Sequence, residues 1–193
     1  MDIGLCSAIL AMIWKRDGKY PDVPAVTGRW NYHNDKLSET GRILKNCPVP
    51  AVLVDCKLDN IGEHAFVEAD NYQGGCLATQ HLLECGSKKI VCMKEPTGYS
   101  SGRKRYKGYA DVCKKYGLKE RIVDCCYDYE SGLRAAEEIL KRYPEADGVI
   151  AGNDIVAMSI YKVFTRHGKK IPQEIQLVGF DDVGFLENYL FQN

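Results

Sequence analysis

An α/β protein built on a parallel sheet is the fold class this sequence predicts, and three observations carry the prediction. Short, almost wholly apolar runs recur along the chain and alternate with segments of about 12 to 16 residues that have a helical pattern. The runs are apolar throughout rather than every second residue, as strands covered on both faces are. Glycine or proline closes each helical segment, which is where a helix most readily stops.

The elements follow in order. Residues 3–14 (IGLCSAILAMIW) read as a core helix. At 12 residues this stretch is too short to span a bilayer, and Asp2 before it with Lys15-Arg16 after it is the wrong charge order for a secretory leader. The expected compartment is therefore the cytoplasm. Ala51 to Asp55 (AVLVD), after Pro48 and Pro50, is a buried strand. Tyr72 to Cys85 is a helix with apolar Cys76, Leu77, Leu82 and Leu83, closed by Gly86. Lys89 to Met93 is a strand, Gly102 to Tyr116 a basic amphipathic helix ended by Gly117, and Arg121 to Cys126 a strand. Ser131 to Tyr143 starts with a capping serine and stops at Pro144. Gly148 to Ala151 is a strand, Asp154 to His167 a helix capped by Asp154 and ended by Gly168, and Ile175 to Phe180 the last strand.

Composition narrows the function classes. Lysine plus arginine equals aspartate plus glutamate at 26 each, so the basic excess of a dedicated nucleic-acid module is missing. The nine cysteines stand at 6, 47, 56, 76, 85, 92, 113, 125 and 126. None forms a Cys-x-x-Cys pair, and histidines 33, 64, 81 and 167 do not flank them at zinc spacing, so reduced thiols packed as small hydrophobes are expected. Cys125 and Cys126 would point to opposite faces if both lay in a strand. No phosphate-binding P-loop or His-Glu-x-x-His helix is present. No catalytic set, metal site or cofactor is expected, and the chain is not read as an enzyme. Gly98 to Gly102 (GYSSG) admits two readings, a phosphate nest before a helix or a flexible loop.

Parallel sheets bind ligands outside the carboxyl ends of their strands. That rule selects the loops after residues 54, 93, 126, 152 and 180, where polar and aromatic side chains crowd as a ligand cleft requires. The same loops carry a family resemblance. V-P-A-V-L-V-D (49–55), A-D-N-Y-Q-G-G through K-K-I (69–90), R-Y-K-G-Y (105–109), Y-D-Y-E-S-G (127–132), A-G-N-D-I-V-A-M (151–158) and G-K-K-I-P-Q-E-I-Q-L-V-G-F-D-D (168–182) stand in order over about 130 residues. Together they resemble the effector-binding part of the lactose/galactose-repressor (LacI/GalR) family of transcriptional regulators.

The resemblance implies a periplasmic-binding-protein-like type I fold, with two flavodoxin-like lobes closing on a ligand. It implies a partial N-terminal lobe at 1–70, a C-terminal lobe at 71–178 and a return segment at 179–193. The crossovers are expected near Asp70-Asn71 and Val178 to Asp182. Residues 1–25 do not resemble the family's first strand–helix–strand region, so the N-terminal lobe is expected to be incomplete. The implied partners are a small-molecule effector (sugar, sugar derivative or nucleobase) and a second copy of the chain. DNA would be reached only through a head domain absent from this sequence, and no membrane is involved.

By the same resemblance Arg105 matches the arginine that binds effector, with five fixed donors suited to hydroxyls or a carboxylate; one more charge on a solvated face is the plainer reading. Asp154 matches the effector-binding aspartate at a helix start, and a plain N-cap is compatible with that role. Tyr127 sits where an aromatic packs on the ligand ring, unless it is an ordinary core tyrosine. Asp128 beside it, Asp55 at the end of its strand, and Tyr99 and Ser101 ahead of the Arg105 motif complete the candidate ligand set. Asp181 and Asp182 are expected to shape the second crossover. Three other readings stay open at this point: a transport-type solute-binding protein, a nucleotide-binding enzyme and a fragment without activity.

Overall fold

The computed structural model describes residues 45, 52–54, 65–96 and 100–183. The expected helix at 3–14, and candidates Asp55 and Tyr99, lie outside the described residues. The chain divides into two compact units, with the boundary between Ala69 and Asp70.

The first unit contributes β1 (Val52–Val54) and β2 (Ala65–Val67), which pair in parallel with Val52 opposite Ala65 and Val54 opposite Val67. The second runs α1 (Asn71–Glu84), β3 (Ile90–Lys94), α2 (Ser100–Tyr116), β4 (Arg121–Asp124), α3 (Tyr129–Arg142), β5 (Gly148–Ile150), α4 (Asp154–Arg166) and β6 (Gln176–Val178). Its four strands are all parallel, in the order β4-β3-β5-β6. From β3 the chain steps outward to β4, then returns past β3 to β5. The reversal makes β3 and β5 the topological switch point, the place where such a sheet opens a crevice at its carboxyl edge.

The apolar runs are doubly covered, as their composition requires. Along β3, Ile90 and Cys92 join a cluster with Ala78 and Leu82 of α1, Tyr109 and Cys113 of α2, and Ile150. Val91 and Met93 face the other way, into a cluster with Val123, Ala135, Ala136, Ile139, Val149, Val156, Ile160 and Phe164. So α1 and α2 cover one face, and α3 and α4 the other. Gly86, Gly117 and Gly168, which the sequence places as helix stops, all have positive φ, a conformation that costs a glycine nothing.

Two capping expectations are corrected. Asp128, not Ser131, caps α3: its carboxylate accepts from the Ser131 backbone N–H at 2.7 Å. The Ser131 hydroxyl is used differently, accepting from Cys126 N–H at 2.9 Å. Asn153, not Asp154, caps α4 from an extended backbone (φ −160°, ψ −178°), accepting from Val156 N–H at 2.9 Å. In both cases a residue with a short amide or carboxylate arm stands three positions before a free N–H and takes it. The strand containing Arg121 ends at Asp124, so Cys125 (buried) and Cys126 (half-buried) lie just beyond β4. All six described cysteines are free.

Tyr109 ties the α2 face to the sheet. It is fully buried, and its hydroxyl accepts from Arg121 N–H at 2.8 Å while lying 3.0 Å from Ile90 O and 3.2 Å from Arg121 O as donor. Burial pushes its phenol well above the ordinary tyrosine range, so it stays protonated and able to donate. Tyr109→Phe is expected to cost about 1–3 kcal/mol, the usual penalty for orphaned buried partners. In thermal unfolding each kcal/mol should appear as a fall of about 2–4 °C in Tm.

Candidate functional site

The carboxyl edge around the switch point gathers side chains from four segments, and Arg105 stands at their centre. It projects from the second turn of α2, with its side chain only 16% exposed. Its Nε–H donates to Asn71 Oδ1 at 2.8 Å, and Nη1–H donates to the Gly152 carbonyl just beyond β5. Its Nη2 lies 3.8 Å from Asp181 Oδ1, and the guanidinium carbon stacks 4.1 Å from the centre of the Phe180 ring. Tyr127 is farther off on another side, at 5.8 Å. A guanidinium fits this position because its planar fork serves several acceptors while its face packs on an aromatic ring.

Tyr127 packs among backbone. A Cβ at Gly152 would stand 2.6 Å from its Cε1, and one at Gly102 would stand 2.9 Å from its hydroxyl oxygen. Its phenol hydrogen-bonds the Ser101 side chain, so two residues singled out separately in the sequence meet here. Burial raises the Tyr127 pKa, opposed by the nearby Arg105 charge and the Ser101 bond. The hydroxyl is therefore neutral at ordinary pH and can both donate and accept.

Asp154, at the start of α4, turns toward the segment that follows β6. Its Oδ2 accepts from Val183 N–H at 2.8 Å, and its Oδ1 crowds the space where a Gly179 Cβ would stand, 2.3 Å away. Between those contacts Asp181 and Asp182 adopt positive φ (93° and 52°), which is uncommon for residues other than glycine. Such conformations persist where surrounding contacts over-determine them. Arg105 on Asp181 and Asp154 on Val183 are among those contacts.

Arg105, Tyr127 and Ser101 are thus brought into one cluster, and Asp154 joins Arg105 through the segment both hold. Asp128 spends one carboxylate oxygen on the α3 cap. Asp55 and Tyr99 lie outside the described residues. Sequence reasoning passed over three participants. The sequence places Asn71 only at the expected first crossover and Phe180 at the end of a strand, and Glu95 is not singled out. Glu95 is 2% exposed, with its Cβ and Cγ against Gly102 beside the Tyr127 hydroxyl. A carboxylate at a strand's carboxyl end was the available signal for it.

Residues 40–188 match the family model described as periplasmic binding proteins and sugar binding domain of the LacI family. The transcriptional regulator CelR of Thermobifida fusca is 32% identical over 121 residues, 61% of this chain and 36% of its own length. The ribose operon repressor of Bacillus subtilis is 29% identical over 135 residues, 69% of this chain and 40% of its own. This chain therefore spans well under half the length of the curated relatives it matches. Among solved structures, a CelR–cellobiose complex is similar at 25% identity and a TM-score of 0.67, covering 78% of this chain and 54% of that one. A LacI-family regulator from Enterococcus faecium with bound ribose shares the fold at a TM-score of 0.65 and 24% identity.

The close approach of Tyr127 to Gly152 yields a test of this packing. Gly152→Ala is expected to destabilise by about 1–3 kcal/mol through overpacking. Tyr127→Ala in the same chain should recover part of that loss, because the clash is with the ring, whereas Tyr127→Phe should recover none. Chemical denaturation of the two double-mutant cycles measures the difference.

Proposed function

The chain belongs to the family of periplasmic binding proteins and LacI-type sugar-binding domains, and on that premise we propose that it is the ligand-sensing part of a LacI-type transcriptional regulator. In this reading the effector is a small sugar-like molecule bound at the carboxyl edge of the β3–β5 switch point. Arg105, Ser101, Tyr127 and Asp154 contact it, with Asp55, Tyr99 and Asp128 completing the set. The intact protein works as a cytoplasmic homodimer and reaches DNA through a separate head domain, and no chemical turnover is involved. A cellobiose-bound and a ribose-bound relative support a sugar as the ligand class.

One observation carries the reading: Arg105 touches both segments expected to cross between lobes, Asn71 at the first and Phe180-Asp181 at the second. The Asp181 contact is the weakest of its bonds. At 3.8 Å, with Asp181 half exposed, it is worth about 0–1 kcal/mol. A hydroxyl-rich ligand can take over Nη2 at little cost while Asn71 and Gly152 keep the guanidinium in place. Releasing Asp181 loosens one contact on a return segment that Arg105 and Asp154 both hold. A ligand stabilising one arrangement of that segment over another shifts the equilibrium by its differential affinity, and this is the coupling a regulator requires.

The test is a thermal-shift panel of sugars, sugar phosphates and nucleobases on this chain and on Arg105→Ala. A ligand at 100 times its Kd stabilises by about 2.7 kcal/mol, which for this size raises Tm by roughly 5–10 °C. A shift by sugars that Arg105→Ala abolishes is expected. A cooperative melt that no compound moves, or a shift that survives the substitution, would overturn the site.

A further inference from the structure

On the far side of this unit from the ligand edge, α1 ends in a His–Cys pair whose spacing in the sequence does not read as a zinc site. His81 and Cys85 stand one helical turn apart, both exposed, with the imidazole Nε2 3.6 Å from the thiol sulfur. We propose that they form a two-point chelate for a thiophilic divalent cation of the zinc class, with water completing the coordination shell.

Three features support it. The first is the bite. With metal–sulfur bonds of about 2.3 Å, metal–nitrogen bonds of about 2.0–2.1 Å and a tetrahedral angle, the two donor atoms must stand about 3.5–3.6 Å apart. The observed separation already meets that distance. Donors at i and i+4 on a helix recur at zinc sites for the same geometric reason.

The second is rigidity. Cys85 is the C-cap of α1, and its N–H is bonded to His81 O at 2.9 Å. Its own carbonyl accepts from Gln176 Nε2 at 2.9 Å, and Gly86 N–H and Ser87 N–H close back onto Leu83 O and Leu82 O. The sulfur therefore leaves a main chain that is fixed on both sides. The third is electrostatic: the carboxyl end of a helix carries partial negative charge and favours a cation.

Among the described residues no group of three or more metal-ligating side chains is gathered. A two-point site implies exchangeable rather than structural metal. Binding must displace the thiol proton, so affinity should rise with pH.

Cobalt(II) serves as the probe, since thiolate ligation gives it a near-ultraviolet charge-transfer band, with zinc(II) added as competitor. The whole 193-residue chain is titrated under a phosphine reductant, beside Cys85→Ser and His81→Ala. Both positions are exposed, and unchanged far-ultraviolet circular dichroism checks that each variant is folded. The expected result is a saturable band that zinc quenches, lost in Cys85→Ser and requiring at least about tenfold more cobalt in His81→Ala. No band in the parent chain, a band that survives in Cys85→Ser, or affinity unchanged in His81→Ala would each overturn the proposal.

Discussion

The Arg105 guanidinium is the tie on which the carboxyl edge of the sheet depends. A cation 84% withdrawn from water is stable only if its donors find acceptors, and here those acceptors come from three separate places: the start of α1, the end of β5 and the segment after β6. Hydrogen bonds to a charged donor are worth about 1.5–3 kcal/mol each, more than neutral ones. The arginine thus converts its own desolvation cost into cross-links that tie the start of α1 to the chain just beyond the β5–β6 ladder. A lysine could offer a charge there, but neither the fork nor the flat face that lies on Phe180.

Its position is set in turn by how closely two helices approach. A Cβ at Gly75 would stand 2.1 Å from the carbonyl oxygen of Arg105, and one at Gly108 would stand 2.3 Å from that of Tyr72. Each glycine of one helix receives the backbone of the other, so α1 and α2 pack nearly main chain to main chain. That closeness puts Asn71 within reach of Arg105 Nε. Gly152 plays a related part on the sheet, leaving room for the Tyr127 ring while its carbonyl serves the guanidinium. The ligand edge is therefore assembled by small residues as much as by charged ones.

The sheet and its helices were legible because burial on both faces leaves an unmistakable signal: near-continuous apolar strands with glycine at the helix stops. The parallel α/β class and the family follow from that and from six ordered motifs. The caps were misassigned because serine or aspartate inside the first turn looks the same in sequence as one just before it. Only the geometry shows that Asp128 and Asn153 reach the free N–H groups first. Arg105, Ser101 and Tyr127 were found because strand ends and motif positions agree there, and the structure brings them together. Asn71 and Phe180 were not, because their role exists only through a side chain more than 30 residues away in sequence. Asp154 adds a third case: its carboxylate does not cap α4 but accepts from Val183 N–H, a contact with no signal in the sequence.

The central claim is that Arg105 and Asp154 hold the segment after β6 in its left-handed turn. Amide hydrogen exchange reports this without any ligand, since the backbone N–H of Val183 is bonded to the Asp154 carboxylate. Exchange is compared, peptide by peptide, between the parent chain and Asp154→Ala and Arg105→Ala. The account predicts faster exchange across 179–183 in both variants, with β3, β5 and their covering helices protected as before. Unchanged protection at 179–183 in both variants would contradict it, because the turn would then be held by something other than these two side chains.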